Sequence, residues 1–540
     1  HRAFLATKQI DNQSTDLTDQ TVLLLNEKFK KKIPSIEDVQ DIIEELLIKN
    51  RLTNVAKSYI LYRQKRADIR EVKKFIGVTD ELKLSVNAIA VLEKRYLLKD
   101  ENGNIVESPK QMFRRVSRAI AGIDNMYGEQ AKKSEDEFYS MMANLEFIPN
   151  SPTLMNASTS IGQLSACFVI PVEDSLKGIF DAVEWLALIE QTGGGCGFSF
   201  SHLRPKGDVV RSTKGVASGP VSFMRVFDTA TDVIKQGGRR RGANMAILRA
   251  DHPDIIEFIT AKSKEGFLSN FNISVAVTDK FMSALMKNKE YELINPRTKR
   301  FVKKLKARDV WNLIITNAWR TGDPGLVFID EINRHNPTPQ VGRIESTNPC
   351  GEMPLLPYES CNLGSINLAK MVLKKDGKTY IDFDKLRQIV HAAVHFLDNV
   401  IDANNYPLQQ TADITKANRK IGLGIMGLAD MLIQLGVPYN SEKALVIAEK
   451  IIKFINEESK KASANIAKNR GGFPNFRKSI WVNKYQRLRN ATTTTIAPTG
   501  TISIIAGCSS GIEPLFSICF VRNVMEGTKL LEVNPYFEQT

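Results

Sequence analysis

Four residues able to do chemistry crowd into fourteen positions of the segment STNPCGEMPLLPYESCNLGSIN (346–367): Asn348, Cys350, Glu352 and Cys361. Prolines at 349, 354 and 357 exclude a helix there and stiffen the segment into a loop. In an extended conformation Asn348, Cys350 and Glu352 alternate by two, which predicts that all three face one side. An amide, a thiol and a carboxylate would then converge on one cavity, with the carboxylate placed to take a proton. The other cysteines are Cys167, Cys196, Cys508 and Cys519, and no pair of the six has C-x-x-C spacing. The histidines form no H-E-x-x-H, so a zinc enzyme is disfavoured. His391 and His395, one helical turn apart on an apolar helix, read as packed structure.

The composition bounds what this chemistry can serve. The chain has 540 residues, 43% hydrophobic and 25% charged, which is the balance of a folded protein with a sizeable core and excludes disordered, collagenous and coiled-coil classes. No run of about 18 apolar residues is present, so no membrane span is expected. Cysteines are too sparse for a disulfide scaffold, and no secretion signal is legible at the first residue, His1. The expected compartment is the reducing cytoplasm, where a cysteine with a task is catalytic rather than structural. Lys and Arg number 74 against 60 Asp and Glu, a net charge of +14. The densest basic run, RTKRFVKKLKAR (297–308), opens within a turn-like NPRTKR (295–300) and reads as a solvated hairpin rather than a nucleic-acid patch.

The organisation along the chain sets where these residues sit. Ile36, Val39, Ile42, Ile43, Leu46 and Leu47 fall on one face of a helix started at Ser35, and 54–66 supplies a second amphipathic segment. The polar stretch KDENGNIVES (99–108) reads as a connector. From Ser151 onward, strand-like runs (CFVIPV, NMAILRA, NISVAV, LVFID) alternate with helices expected near 176–190, 223–235, 384–401, 421–435 and 444–469. This alternation predicts an α/β sheet or barrel.

STNPCGEMPLLPYESCNLGSINLAKM resembles the active-site loop of ribonucleotide reductase catalytic subunits, with wording closest to the adenosylcobalamin-dependent class. The same family is echoed in SPTLMNASTSIGQLSACFVIPVEDS (151–175), GGGCGFSFSHLRPKGDVVRSTKGVASGPVSF, KQGGRRRGANMAILR and ATTTTIAPTGTISIIAGCSSGIEP. The resemblance runs from about residue 80 to the end. It implies a ten-stranded α/β barrel, two antiparallel halves of parallel strands around a central cysteine finger loop. Residues 1–70 resemble part of an ATP-cone, 71–150 would form a helical domain, and 151–540 the barrel. Related chains continue past EVNPYFEQT with further strands and a cysteine-bearing tail.

The resemblance also implies roles. Cys350 would be the thiyl-radical residue that takes the 3′ hydrogen of a bound ribonucleotide, a diphosphate in this class. Glu352 would accept the 3′-hydroxyl proton and Asn348 would hold the sugar. Cys167 and Cys361 would be the redox pair that closes a disulfide once per turnover. Pro498, Thr499, Gly500, Thr501 and Ser503 resemble the substrate phosphate loop, and Ser151 and Ser165 match positions that touch substrate. Asp174, Arg204 and Arg211 fall where relatives bind a deoxynucleotide effector, and Lys235, Gln236 and Arg241 belong to what resembles the specificity loop. Cys196, Cys508 and Cys519 are given no catalytic task. The implied cofactor is adenosylcobalamin, with ATP and dNTPs as effectors, and the reaction would supply deoxyribonucleotides for DNA synthesis. The implied partners are thioredoxin or a glutaredoxin-type reductant and a second copy of the chain. Two alternatives stand beside this reading: a catalytic subunit served by a separate radical-generating metal subunit, and a non-catalytic nucleotide-sensing paralogue.

Overall fold

The computed structural model describes residues 14–30, 32–60, 77–209, 215–234, 242–515, 517–524 and 528–536. The chain divides into two compact units, 1–79 and 80–540. In the first unit, helices α1 (Ser14–Phe29) and α2 (Ile36–Lys49) are followed by a helical stretch at 53–60. The expected start at Ser35 is a reciprocal cap: the Asp38 amide donates to Ser35 Oγ (3.1 Å) and the Ser35 amide to Asp38 Oδ2 (2.8 Å). Ile42, Leu46 and Leu47 are buried on the expected face.

The second unit opens with α3 (Val86–Arg95), α4 (Pro109–Ala121) and α5 (Ala131–Ala143). The polar stretch 99–108 is a tight turn inside this unit, bridged from Lys99 to Ile105. Strand β1 (Phe147–Pro149) then leads into β2 (Cys167–Pro171), α6 (Leu176–Gln191), β3 (Gly195–Ser199), α7 (Pro220–Val233), β4 (Asn244–Arg249) and β5 (Phe271–Val277). A hairpin of β6 (Glu290–Ile294) and β7 (Phe301–Lys306) precedes β8 (Gly325–Phe328). Next come the two-residue strands β9 (Ser346–Thr347) and β10 (Pro354–Leu355), then β11 (Ser360–Asn367). The hairpin β12 (Val372–Lys375) and β13 (Lys378–Ile381), helix α8 (Phe383–Ala403), β14 (Ile421–Met426) and helix α9 (Glu442–Arg470) follow.

Eight of these strands form one sheet among the described residues, in the order β1-β11-β2-β3-β4-β5-β8, with β14 on the other register of β11. Strands β2, β3, β4, β5 and β8 are mutually parallel, β11 and β14 are parallel to each other, and β11 meets β2 antiparallel. Two antiparallel sets of parallel strands are thus present, as expected. Helical crossovers cover the sheet, so β11 and β14 are buried along their whole length. The main core lies between the sheet and its helices, where Phe227 of α7 packs edge-on against Phe198 (4.9 Å) and Phe200 (5.4 Å). Cys196 belongs to this core, as its reading as a packing residue required.

One expected helix is corrected. Residues 421–435 are strand β14 followed by a short helix, Leu428–Gln434, with Gly427 in the left-handed region (φ 75°) between them. A continuously apolar run has the same look in a buried strand and a buried helix. What decides here is the pairing of β14 along β11 and the glycines that permit it: a Cβ at Gly422 would lie 2.5 Å from Leu363.

Buried charge ties the second half together. Arg419 binds Asp398 (3.0 Å) and Asp402 (2.8 Å), and Arg489 joins Asp398 (3.1 Å). Lys420 Nζ donates to Glu359 Oε2 at 2.6 Å with both side chains buried. His391 and His395 sit half-buried on α8, bonded to Glu458 (3.0 Å) and Asp124 (2.8 Å). No helix among the described residues is long and apolar enough to cross a membrane.

Candidate active site

Cys167, the first residue of β2, lies directly opposite Cys361 near the start of β11. In an antiparallel pair such residues present their side chains on one face about 4.5–5.5 Å apart at Cβ, within small adjustment of disulfide geometry. Both side chains are buried. Burial pushes the Cys167 thiol well up, and the nearby Glu352, Cys361 and Cys350 add to the shift. Burial likewise raises Cys361, with Glu359 adding to it. Two neutral thiols side by side suit a dithiol that gives up electrons together with protons.

Between β9 and β10 the chain makes a hairpin whose tip carries Cys350. The expected extended run of Asn348, Cys350 and Glu352 is corrected here: residues 348–353 form a turn. The Gly351 amide donates to Asn348 O (3.0 Å), the Met353 amide donates to Asn348 Oδ1 (3.0 Å), and Gly351 takes φ 85°. Convergence is reached another way. The tip folds back so that Asn348 Nδ2 donates to Cys167 Sγ at 3.1 Å, and Cys350 and Glu352 both lie close enough to act electrostatically on the Cys167 thiol. Asn348 thereby ties the finger to Cys167 of the facing thiols. Cys350 is exposed, Glu352 half-buried and Asn348 buried.

The finger is held on both sides by residues that sequence reading passed over. Asn272 of β5 donates to Pro349 O (2.7 Å), and Thr495 Oγ1 donates to Glu352 O (3.0 Å). Strand β3 makes room for it: a Cβ at Gly197 would stand 1.7 Å from Thr347 O, and one at Gly195 would stand 2.9 Å from Pro349 Cγ. The signal was present in GGGCGF, since glycines inside a strand mark close backbone approach.

Two of the residues expected at the substrate, Ser151 and Ser165, lie beside β11. The Asn150 amide donates to Leu363 O, which sets Ser151 beside the strand, and Ser151 Oγ pairs with Tyr96 OH (2.7 Å). Ser165 is buried, with its Oγ accepting from Asn404 (3.0 Å) and facing Ser360 (3.5 Å). Pro498 and Gly500 are exposed, and Thr499 (φ 56°) turns the chain into the short helix Gly500–Ala506 while its Oγ1 accepts from the Gly511 amide (2.7 Å). Arg95, at the end of α3, donates to Thr501 Oγ1 (3.4 Å), and Ser503 pairs with Ser510 (3.0 Å).

A second concavity, of about 1230 Å³, has Asp174 and Arg204 in its wall. The two bind each other: Arg204 Nε reaches both Asp174 carboxylate oxygens at 3.1 Å. Arg211, Lys235, Gln236 and Arg241 lie outside the described residues. The basic run is the β6–β7 hairpin, with the β7 residues exposed or nearly so, but its turn is not simply solvated. Arg297, Thr298 and Arg300 line this same cavity.

Glu190 at the end of α6 is fully buried against Thr231 and Gly242. Burial pushes its carboxyl up to about 8, against hydrogen bonds from Thr231 and Asn244 that pull it down. The unfolded chain releases this proton near the ordinary carboxylate value, whereas the folded chain holds it until about pH 8. Stability from this group is therefore full at pH 4 and is lost as pH rises toward 8, by roughly 3 kcal/mol at pH 7. Glu190→Gln should remove that slope, so its unfolding midpoint should exceed the parent's by a margin that widens between pH 5 and 8; a margin independent of pH would refute the assignment.

Comparison with known proteins agrees with this architecture. The profile of the ribonucleotide reductase barrel domain matches residues 165–488 and 482–540, that of the ribonucleotide reductase all-alpha domain matches 82–162, and that of the ATP cone domain matches 1–68. The chain belongs to the ribonucleotide reductase large-chain family. It is 52% identical, over its full length and 78% of the relative's, to the vitamin B12-dependent ribonucleoside-diphosphate reductase of Thermoplasma acidophilum. It is 47% identical, over 99% of its length and 77% of the relative's, to the enzyme of the same name from Mycobacterium tuberculosis. The ribonucleoside-diphosphate reductase large subunit of Vaccinia virus is more distant, at 31% over 82% of this chain and 63% of its own length.

Proposed function

We propose that this chain reduces ribonucleoside diphosphates to 2′-deoxyribonucleotides by thiyl-radical chemistry, using adenosylcobalamin and no separate radical-generating subunit. The observation that carries the reading is the finger: it brings Cys350 and Glu352 up to a buried pair of facing thiols, Cys167 and Cys361. A nucleotide-sensing paralogue has no use for a dithiol at such a place. The preference for adenosylcobalamin over a separate metal subunit rests on the relatives: those named vitamin B12-dependent share 47–52% identity, against 31% for the viral large subunit.

The residues divide the work as follows. Cys350 lies exposed at the finger tip, whereas Cys167 and Cys361 are buried, so Cys350 is the thiol that an external initiator can reach and the one that would face the cofactor. Adenosylcobalamin, when bound, supplies one-electron oxidation of a thiol. The Cys350 thiyl takes the hydrogen atom from C3′ and Glu352 takes the proton of the 3′-hydroxyl. The 2′-hydroxyl leaves as water with one proton from the dithiol, the dithiol's second hydrogen goes to C2′, and Cys167 and Cys361, having given up two electrons and two protons in all, close a disulfide while Glu352 returns its proton to the 3′ oxygen. Cys350 returns its hydrogen atom to C3′. Pro498, Thr499, Gly500, Thr501 and Ser503 would receive the phosphates, with Ser151 and Ser165 on the sugar side.

Asp174, Arg204 and Arg211 would hold a dNTP effector, with Lys235, Gln236 and Arg241 relaying its identity, and the 1–68 region would sense adenine nucleotides. A thioredoxin or glutaredoxin-type protein would reopen the disulfide, a second copy of the chain would pair through α6 and α7, and a disulfide made and broken each turnover suits the cytoplasm.

Substrate turnover without external reductant, followed by alkylation and peptide mapping, tests the redox assignment. It should yield one disulfide per product, between Cys167 and Cys361, with Cys350 alkylated as a free thiol. Product formed with Cys167 and Cys361 both still reduced would overturn the assignment.

A further inference from the structure

Lys460, on α9, is a buried amine that the ribose chemistry leaves unused. It is 8% exposed and makes no hydrogen bond or ion pair among the described residues. What covers it is aromatic. Its Nζ lies 4.4 Å from the centroid of the Trp481 ring, which packs on the cluster where Phe473, Leu488 and Ala491 are buried. The ring is fixed in place, because Trp481 Nε1 donates to Ala491 O (2.8 Å). Carboxylates are kept away: residues 471–500, which supply this cover, contain no Asp or Glu. On the helix itself Glu458 is engaged by His391 and Lys461, and Glu457 is exposed.

An ammonium in this position gives up water without gaining a counter-ion, and the ring face returns only part of the loss. Burial accordingly brings the amine down to about 8. At neutral pH a sizeable fraction therefore carries a free lone pair, where an ordinary lysine, at about 10.4, carries almost none. A second cation stands close by. The exposed Lys484 has its Nζ 5.8 Å from the same ring centroid and favours an anionic reagent at the opening.

We propose that Lys460 is an acylation site that takes its acyl group from a small acyl phosphate. The lone pair of Nζ attacks the acyl carbon, and the C–N bond forms as the C–O bond to the phosphate breaks. Inorganic phosphate leaves with that electron pair, the nitrogen gives its proton to solvent, and nothing is oxidised or reduced. The product places a neutral amide where a cation stood on Trp481, which removes the cost of burying the charge.

Acetyl phosphate added to the folded full chain at pH 7.5, with tryptic peptides quantified over time, tests this. Lys460 should be acetylated about tenfold faster than Lys443 and Lys453, which are exposed on the same helix. Its rate should level off above about pH 8. Ala464→Glu, one turn further along α9 and packed against the same cluster, would supply the missing carboxylate and should slow acetylation of Lys460 about tenfold. The parent's rate and pH profile decide the matter even if that variant does not fold. Acetylation of Lys460 no faster than of Lys443 and Lys453, a rate still climbing through pH 10, or reaction only after unfolding in urea would overturn the proposal.

Discussion

Cys350→Ala should lower deoxyribonucleotide formation by on the order of 10⁴-fold or more, because a chain carrier that is removed cannot be replaced by its neighbours. The two other nearby thiols are poor substitutes. Cys167 and Cys361 are buried and already committed to each other across β2 and β11, and using either as radical carrier would deprive the reaction of its two electrons. The structural cost should be small, since Cys350 is an exposed residue on a turn set by Asn348, Gly351 and Met353, and such substitutions usually fall within about 0.5 kcal/mol. The expected phenotype is an inactive chain with parental thermal stability and parental dTTP affinity. Residual multiple-turnover reduction in this variant would sink the radical assignment.

Lys420→Met should cost about 3–5 kcal/mol of stability, because it strips the cation from Glu359 and leaves a carboxylate in the interior. Both partners of this 2.6 Å pair are buried. Glu359 also accepts from the Leu356 amide (2.7 Å) and from Asn418 Nδ2 (2.7 Å), so it pins the return limb of the finger to the segment that starts β14. The uncompensated charge would thus loosen the scaffold on which Cys361 stands. Urea unfolding of the parent and of Lys420→Met measures the loss, and Lys420→Met/Glu359→Gln should recover much of it by removing the stranded charge. A loss below about 1 kcal/mol in the single variant would show that water reaches Glu359 and that the pair is not the anchor described here.

Much of the site was legible in the residues. The density of Asn348, Cys350, Glu352 and Cys361 between prolines marked the finger before any fold was known. What could not be read was how they converge. Alternation by two predicts one face for an extended run, but Gly351 at positive φ and the Asn348 to Met353 hydrogen bond make a turn, and the partner they converge on, Cys167, is 181 residues away from Asn348. Long-range pairing of this kind leaves no local periodicity. The same limit explains β14: its apolar run fits strand or helix, and only its place beside β11 decides. The basic hairpin was recognised from its turn residues, yet that Arg297 and Arg300 line the cavity of Asp174 depends on tertiary clamping through Asp208, which no local pattern announces. The glycines of β3 were visible as a motif, but what they accommodate became apparent only with Thr347 O and Pro349 seated against them.

The central claim is that this chain, with adenosylcobalamin and without a second subunit, turns ribonucleotides into deoxyribonucleotides. The most direct measurement is product formation from a ribonucleoside diphosphate by the purified chain with dithiothreitol, in parallel with and without adenosylcobalamin. Dithiothreitol reduces the Cys167–Cys361 disulfide without a protein reductant, so turnover does not depend on one. The account predicts deoxyribonucleotide in the arm with adenosylcobalamin and none in the other; equal product in both arms, or none in either, would contradict it.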